Sequence, residues 1–111
     1  RGPTRIEAMV RPISGTLVHG AARLPLPALV ARRVVADARF AAVTQVGPAG
    51  VVVTIAYLAR PAIVATLTLD GAARASVRLA DLTATIADDR GRVIVLDLRT
   101  GALTSDLRVG P

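Results

Sequence analysis

The stretch GVVVTIAYLARPAIVATLTLDG, residues 50–71, carries one charged side chain, Arg60, before Asp70 near its end, and its reading decides the fold. Joined to what precedes it, the chain is uncharged from Phe40 through Ala59, close to the roughly 20 apolar residues that a membrane-spanning helix needs. The residue types argue against a span. GPAG at 47–50 interrupts the run, Gln45 adds an amide, and the rest is rich in valine, threonine and isoleucine, whose branched Cβ atoms are stiff at χ1 and suit pleated strands. Two strands are expected, over 51–58 and 62–69, with a break at ARP 59–61. Alternation puts Val51, Val53, Ile55 and Tyr57 on one face of the first strand, and Ile63, Ala65, Leu67 and Leu69 on one face of the second. Of these, Val53, Ile55, Ile63 and Leu67 are expected to be buried. Pro61 has no N–H to give a ladder and fits the start of the second strand. Val52, Ala56 and Leu58 make the other face of the first strand apolar too, so that strand needs cover on both sides.

Working outward, TRIEAMVR at 4–11 alternates as a half-buried strand, and SGTLVHG at 14–20 continues the sheet after Pro12. LPLPALVARRVVADARF, 24–40, changes character. Pro27 fits the first turn of a helix; Leu26, Val30 and Val34 follow at helical spacing, and Arg33 and Asp37 form an i,i+4 pair. A short helix over 27–38 is therefore expected. Beyond it, Asp70-Gly71 is a hairpin signal. Ala73, Ala75, Val77 and Leu79 then alternate with Arg74, Ser76 and Arg78, and Leu82, Ala84 and Ile86 with Thr83 and Thr85. DDRG at 88–91 turns the chain, Ile94, Leu96 and Leu98 form another inward face, and Leu103, Leu107 and Val109 mark a last strand. The fold class that follows is mainly β: a curled antiparallel sheet or barrel of about eight strands with one short helix against a face. It forms a single β-rich domain over 1–111, and the start at Arg1 suggests processing or excision from a longer chain.

Composition narrows the function. Without cysteine there are no disulfides, zinc–thiolate sites or thiol nucleophiles. All 14 basic residues are arginine, and the net charge of +6 favours acidic partners. The arginines are scattered, and Phe40 and Tyr57 are the only rings that could stack on bases, which argues against nucleic acid. An anionic lipid head group or an acidic protein surface needs only charge. His19, the single histidine, has no serine–aspartate or two-histidine spacing around it. Asp88 and Asp89 read as turn residues, since a calcium loop needs more oxygen ligands than ADDRGR offers. The glycines form no strand-to-helix phosphate cradle. No enzyme, metal or cofactor is expected.

What remains is an excess of aliphatic surface that a ligand or a partner must complete. SGTLVHGAARLPLPALVARRVV at 14–35, followed by the segment from GPAGVVV through DDRGRVIVLDL at 47–98, resembles the later part of the LmeA-like family of actinobacterial envelope proteins. That resemblance implies a lipid-binding domain related to the tubular lipid-binding proteins, in which a strongly curved sheet wraps a helix and the groove takes acyl chains. It also implies an exported or envelope location. On this reading Leu26, Val30 and Val34 of the helix and Val53, Ile55, Ile63 and Leu67 of the strands bind the ligand. The alternative is a structural subunit of a homo-oligomeric coat, tail or surface layer, whose apolar faces and strand edges are completed by neighbouring copies.

Overall fold

Both halves of the opening stretch are strands. The computed structural model describes residues 10–13 and 15–109, which form eleven strands in three antiparallel sheets. The first sheet holds β1 (Val10–Ile13), β2 (Thr16–His19) and β3 (Ala22–Pro25). The middle sheet holds β4 (Val30–Ala36), β5 (Phe40–Gly47), β6 (Gly50–Tyr57) and β7 (Ala62–Asp70). The last sheet holds β8 (Ala75–Ala80), β9 (Thr83–Asp88), β10 (Arg92–Asp97) and β11 (Ala102–Arg108). Each is a meander in chain order, and none closes on itself. Most of the strand expected over 4–11 lies outside the described residues.

Three expectations are corrected. The segment 27–38 is not a helix: residues 30–36 of it form β4, paired along its length with β5. β5 and β6 are largely buried, uncharged strands, and the backbone edge of β5 needs a ladder partner. Val30, Val34 and Val35 suit that role better than a helix does. Asp37 is no helical partner of Arg33; its carboxylate accepts the N–H groups of Arg39 and Phe40, both at 2.8 Å, and so shapes the β4–β5 turn. Second, Asp70-Gly71 does not close a hairpin. Gly71 N–H donates to the Ala49 carbonyl at 2.8 Å, which carries the chain past the β5–β6 turn and into another sheet. Third, that crossing divides the expected single curled sheet or barrel into stacked open sheets.

The cover that β6 needs on both sides is present. Toward the last sheet, Val51, Val53 and Ile55 join Phe40, Leu69, Ile86, Ile94 and Leu96 in the larger core. Phe40 and Tyr57, opposite each other in the ladder, tilt together with ring centroids 5.4 Å apart. On the reverse face Ala41, Val43, Ala56 and Leu58 meet Leu17 and Leu26 in a smaller core. The buried Gln45 clamps this side by donating to the carbonyls of Pro27 and Leu29, at 2.8 and 3.2 Å. Its Oε1 and the Thr54 hydroxyl, also buried, have no partner among the described residues.

The middle and last sheets repeat one design. In each, a bulge interrupts the final pairing at the same place: Ile55 pairs Ala65 while Ala56 pairs Ile63, and Val95 pairs Ser105 while Leu96 pairs Leu103. In each, the residue after the third strand donates its N–H to the residue before the second, Leu58 to Arg39 at 2.8 Å and Leu98 to Leu82 at 2.9 Å. The relation is face to back. The ladder row Val35, Ala42, Ile55, Ala65 faces the last sheet, and its counterpart Arg78, Thr85, Val95, Ser105 faces away from the middle one. Where the first row is dry, the second carries a guanidinium and two hydroxyls, the dressing expected of an outer layer that meets water.

Candidate functional site

The seven residues expected to bind a ligand do not share one cavity. Val53 and Ile55 are fully buried in the larger core and Leu67 is half-buried at its margin. Leu26 is buried in the smaller core with Val34 packed beside it. Val30 and Ile63 are exposed. Burial of Ile63 is expected from alternation along β7, but the bulge beside it turns Ile63 to the face shared with Ala56, on an edge strand, where it stays exposed.

A cleft of about 740 Å³ at an open end of the two larger sheets gathers five of the charged residues. Arg32, Arg33 and Arg74 line it together with Thr44, Asp88 and Asp89. Arg32 reaches it because a bulge in β4 falls between Ala31 and Arg33. The aspartates are committed to turns, as their spacing predicts. Asp88 accepts the N–H groups of Arg90 and Arg92, at 2.8 and 2.9 Å, and Asp89 accepts that of Ala73 at 3.1 Å. The cleft thus sets three guanidinium groups against two carboxylates, a net charge of one in favour of an anionic group. Among the described residues no cluster of acidic, histidine or cysteine side chains could hold a metal. His19 is half-buried at the end of β2, and its Nδ1 has no partner among the described residues.

Sequence reasoning missed the sheet edges. Large aliphatic side chains stand exposed at Val30 (63%), Ile63 (40%), Leu103 (54%), Leu107 (60%) and Val109 (62%). All lie on β4, β7 or β11, or immediately after β11, and these three strands are sheet edges. Alternation reveals that a residue is apolar and which neighbours share its face. It does not reveal which strand ends a sheet.

On β11 these residues flank an ion pair. Arg92 of β10 donates Nε–H to Asp106 Oδ1 at 3.0 Å and Nη2–H to Oδ2 at 2.8 Å, a bidentate pair across the ladder. The Arg92 hydrogen bond holds the Asp106 carboxyl below the usual carboxylate range, and Arg99 does the same for Asp97 at the other end of β10. A carboxyl whose folded pKa is depressed stabilises above its unfolded value, and that contribution is lost as pH falls through the folded one. The pair ties β11 to the rest of the sheet. Amide protection factors along β11, measured by hydrogen exchange, are therefore expected to fall on acidification below the carboxylate range while those along β6 hold. Equal losses in both strands would show that Asp106 does not secure the edge.

No helix among the described residues is long and apolar enough to cross a membrane. The chain matches no protein-family model and no curated protein sequence.

Proposed function

We propose that this protein is a non-enzymatic structural module that assembles with copies of itself, neighbours completing its strand edges and aliphatic faces. The observation that carries this reading is the confinement of its exposed large aliphatics to the edge strands β4, β7 and β11 and their flanks. An edge strand presents unpaired N–H and C=O groups, and proteins that avoid association blunt such edges with lysine, proline or charge turned inward. Here β7 contains no proline and no charge before Asp70 at its end, and β11 contains no proline, its two charges, Asp106 and Arg108, lying on one face. Apolar side chains and unpaired backbone therefore lie on the same strands, the combination that strand addition satisfies.

Lipid binding, the other function expected from the sequence, needs a groove between a sheet and a helix. The segment expected to supply the helix is a strand, and its neighbours on the sheet are engaged in packed cores. One experiment separates the two functions: native mass spectrometry and sedimentation velocity over a concentration series, with thermal melting in the presence and absence of phosphatidylglycerol vesicles. The expected outcome is a ligand-free homo-oligomer whose melting is unmoved by lipid. A monomer that carries lipid, or whose melting temperature rises with lipid, would overturn the assembly reading in favour of an apolar ligand, since a ligand that binds only the native state must stabilise it.

A further inference from the structure

Resting on that self-association, the geometry points to β11 as the strand through which two copies pair, antiparallel about a two-fold axis and in a single register centred on Leu107. Among the described residues β11 ends the last sheet, with β10 on one side only. Val109 donates its N–H to the Gly91 carbonyl. In an antiparallel ladder, inward and outward backbone groups alternate, so Leu107 and Ser105 also turn toward β10. Asp106 and Arg108 then turn their N–H and C=O groups to the open edge, with both side chains on one face of the strand.

Charge selects the register. A self-pairing centred on Asp106 sets two carboxylates opposite each other, and one centred on Arg108 sets two guanidinium groups opposite each other; like charges directly across a ladder are destabilising. Centring on Ser105 draws in Thr104, the bulged residue that interrupts the ladder. Centring on Leu107 avoids all three. Asp106 then lies opposite the partner's Arg108, and Arg108 opposite the partner's Asp106, as two hydrogen-bonded pairs. The Asp106 carboxylate can take this contact while keeping Arg92, because its two oxygens accept about four hydrogen bonds. On the other face Leu107 meets the partner's Leu107 and extends the outward apolar line of Val93, its ladder partner. The same register covers Leu107 and Val109, two of the most exposed aliphatics in the protein. A two-fold pairing is self-complementary and closes at two copies, so β11 supplies a dimer contact and leaves β4 and β7 for any larger assembly.

The test uses charge reversal on this edge. Asp106→Arg and Arg108→Asp each place like charges opposite each other in the proposed register, so each variant alone is expected to sediment one assembly step smaller than wild type. An equimolar mixture of the two restores opposite charges at both positions and is expected to regain the lost step. Arg108→Pro provides a backbone control: proline is tolerated where the N–H faces away from the sheet, so this variant is expected to fold, as judged by circular dichroism, and to lose the same contact. If wild type associates and the variants and their mixture all associate equally, β11 is not the contact, and assembly through another edge stands. If wild type is monomeric at its highest soluble concentration, this inference and the assembly reading both fall.

Discussion

Ile55→Asp is expected to abolish folding. Ile55 lies midway along β6 and is fully buried between the middle and last sheets. It pairs with Ala42 on one side and Ala65 on the other, so no cationic side chain stands directly opposite it. A carboxylate there either stays charged without a partner or takes up a proton and remains poorly hydrogen-bonded. Either state costs several kcal/mol, against a total stability of about 5–15 kcal/mol for a domain of this kind. Removing volume without adding charge is milder, and Ile55→Val should cost about 0.5–1.5 kcal/mol. The two variants are compared by circular dichroism and urea unfolding. A folded Ile55→Asp protein with a cooperative transition near that of wild type would mean that the two large sheets do not pack through this face.

Gly50→Ala is expected to destabilise by at least ~3 kcal/mol, because strain and collision add. Gly50 opens β6 at φ +146°, a conformation that side chains rarely adopt, and an added Cβ would overlap the carbonyl oxygen of Leu69 on β7. Relief would require moving the β6–β7 ladder where Gly50 pairs Asp70, next to the Gly71–Ala49 hydrogen bond that sends the chain into the last sheet. Gly20→Ala is the control. Its φ of +59° is also left-handed, yet no atom lies within 4 Å of the position a Cβ would take, so the loss should be about 1 kcal/mol from backbone strain alone. Denaturant midpoints of the two variants measure the difference, and equal losses would show that Leu69 does not approach Gly50 as described.

Much of the strand content was legible because a half-buried strand writes its burial into alternate residues. Ala84 and Ile86 of β9, and Ile94 and Leu96 of β10, are buried as their alternation predicts, with Thr83, Thr85, Val93 and Val95 between them less so. The segment 27–38 misled for an identifiable reason: Leu26, Val30 and Val34 fit a helical spacing, but nothing local weighs that against the unpaired edge of β5. The repetition between the two larger sheets was also hidden. Few equivalent positions share a residue, among them Val53 with Val93 and Leu58 with Leu98, and β5 and β6 are longer than β9 and β10. What is preserved is the bulge and the backbone closure, neither of which any particular side chain marks.

The sequence by itself determined that the uncharged run from Phe40 would be strands and that β6 would need cover on two sides. These follow from local chemistry: branched side chains restrict the backbone and alternation assigns faces. Only the tertiary structure decided that the cover consists of two further sheets, that Asp70-Gly71 leads out of one sheet into another, and that β4, β7 and β11 end their sheets. Those outcomes depend on which backbone groups remain unpaired once the best ladders have formed and on which apolar faces then meet. Both are sums over residues distant in the chain, so no single stretch records them. The proposed pairing site follows from this. Asp106, Leu107 and Arg108 are an ordinary strand segment in the sequence, and they become an open, charge-complementary edge because nothing in the described chain folds beside β11.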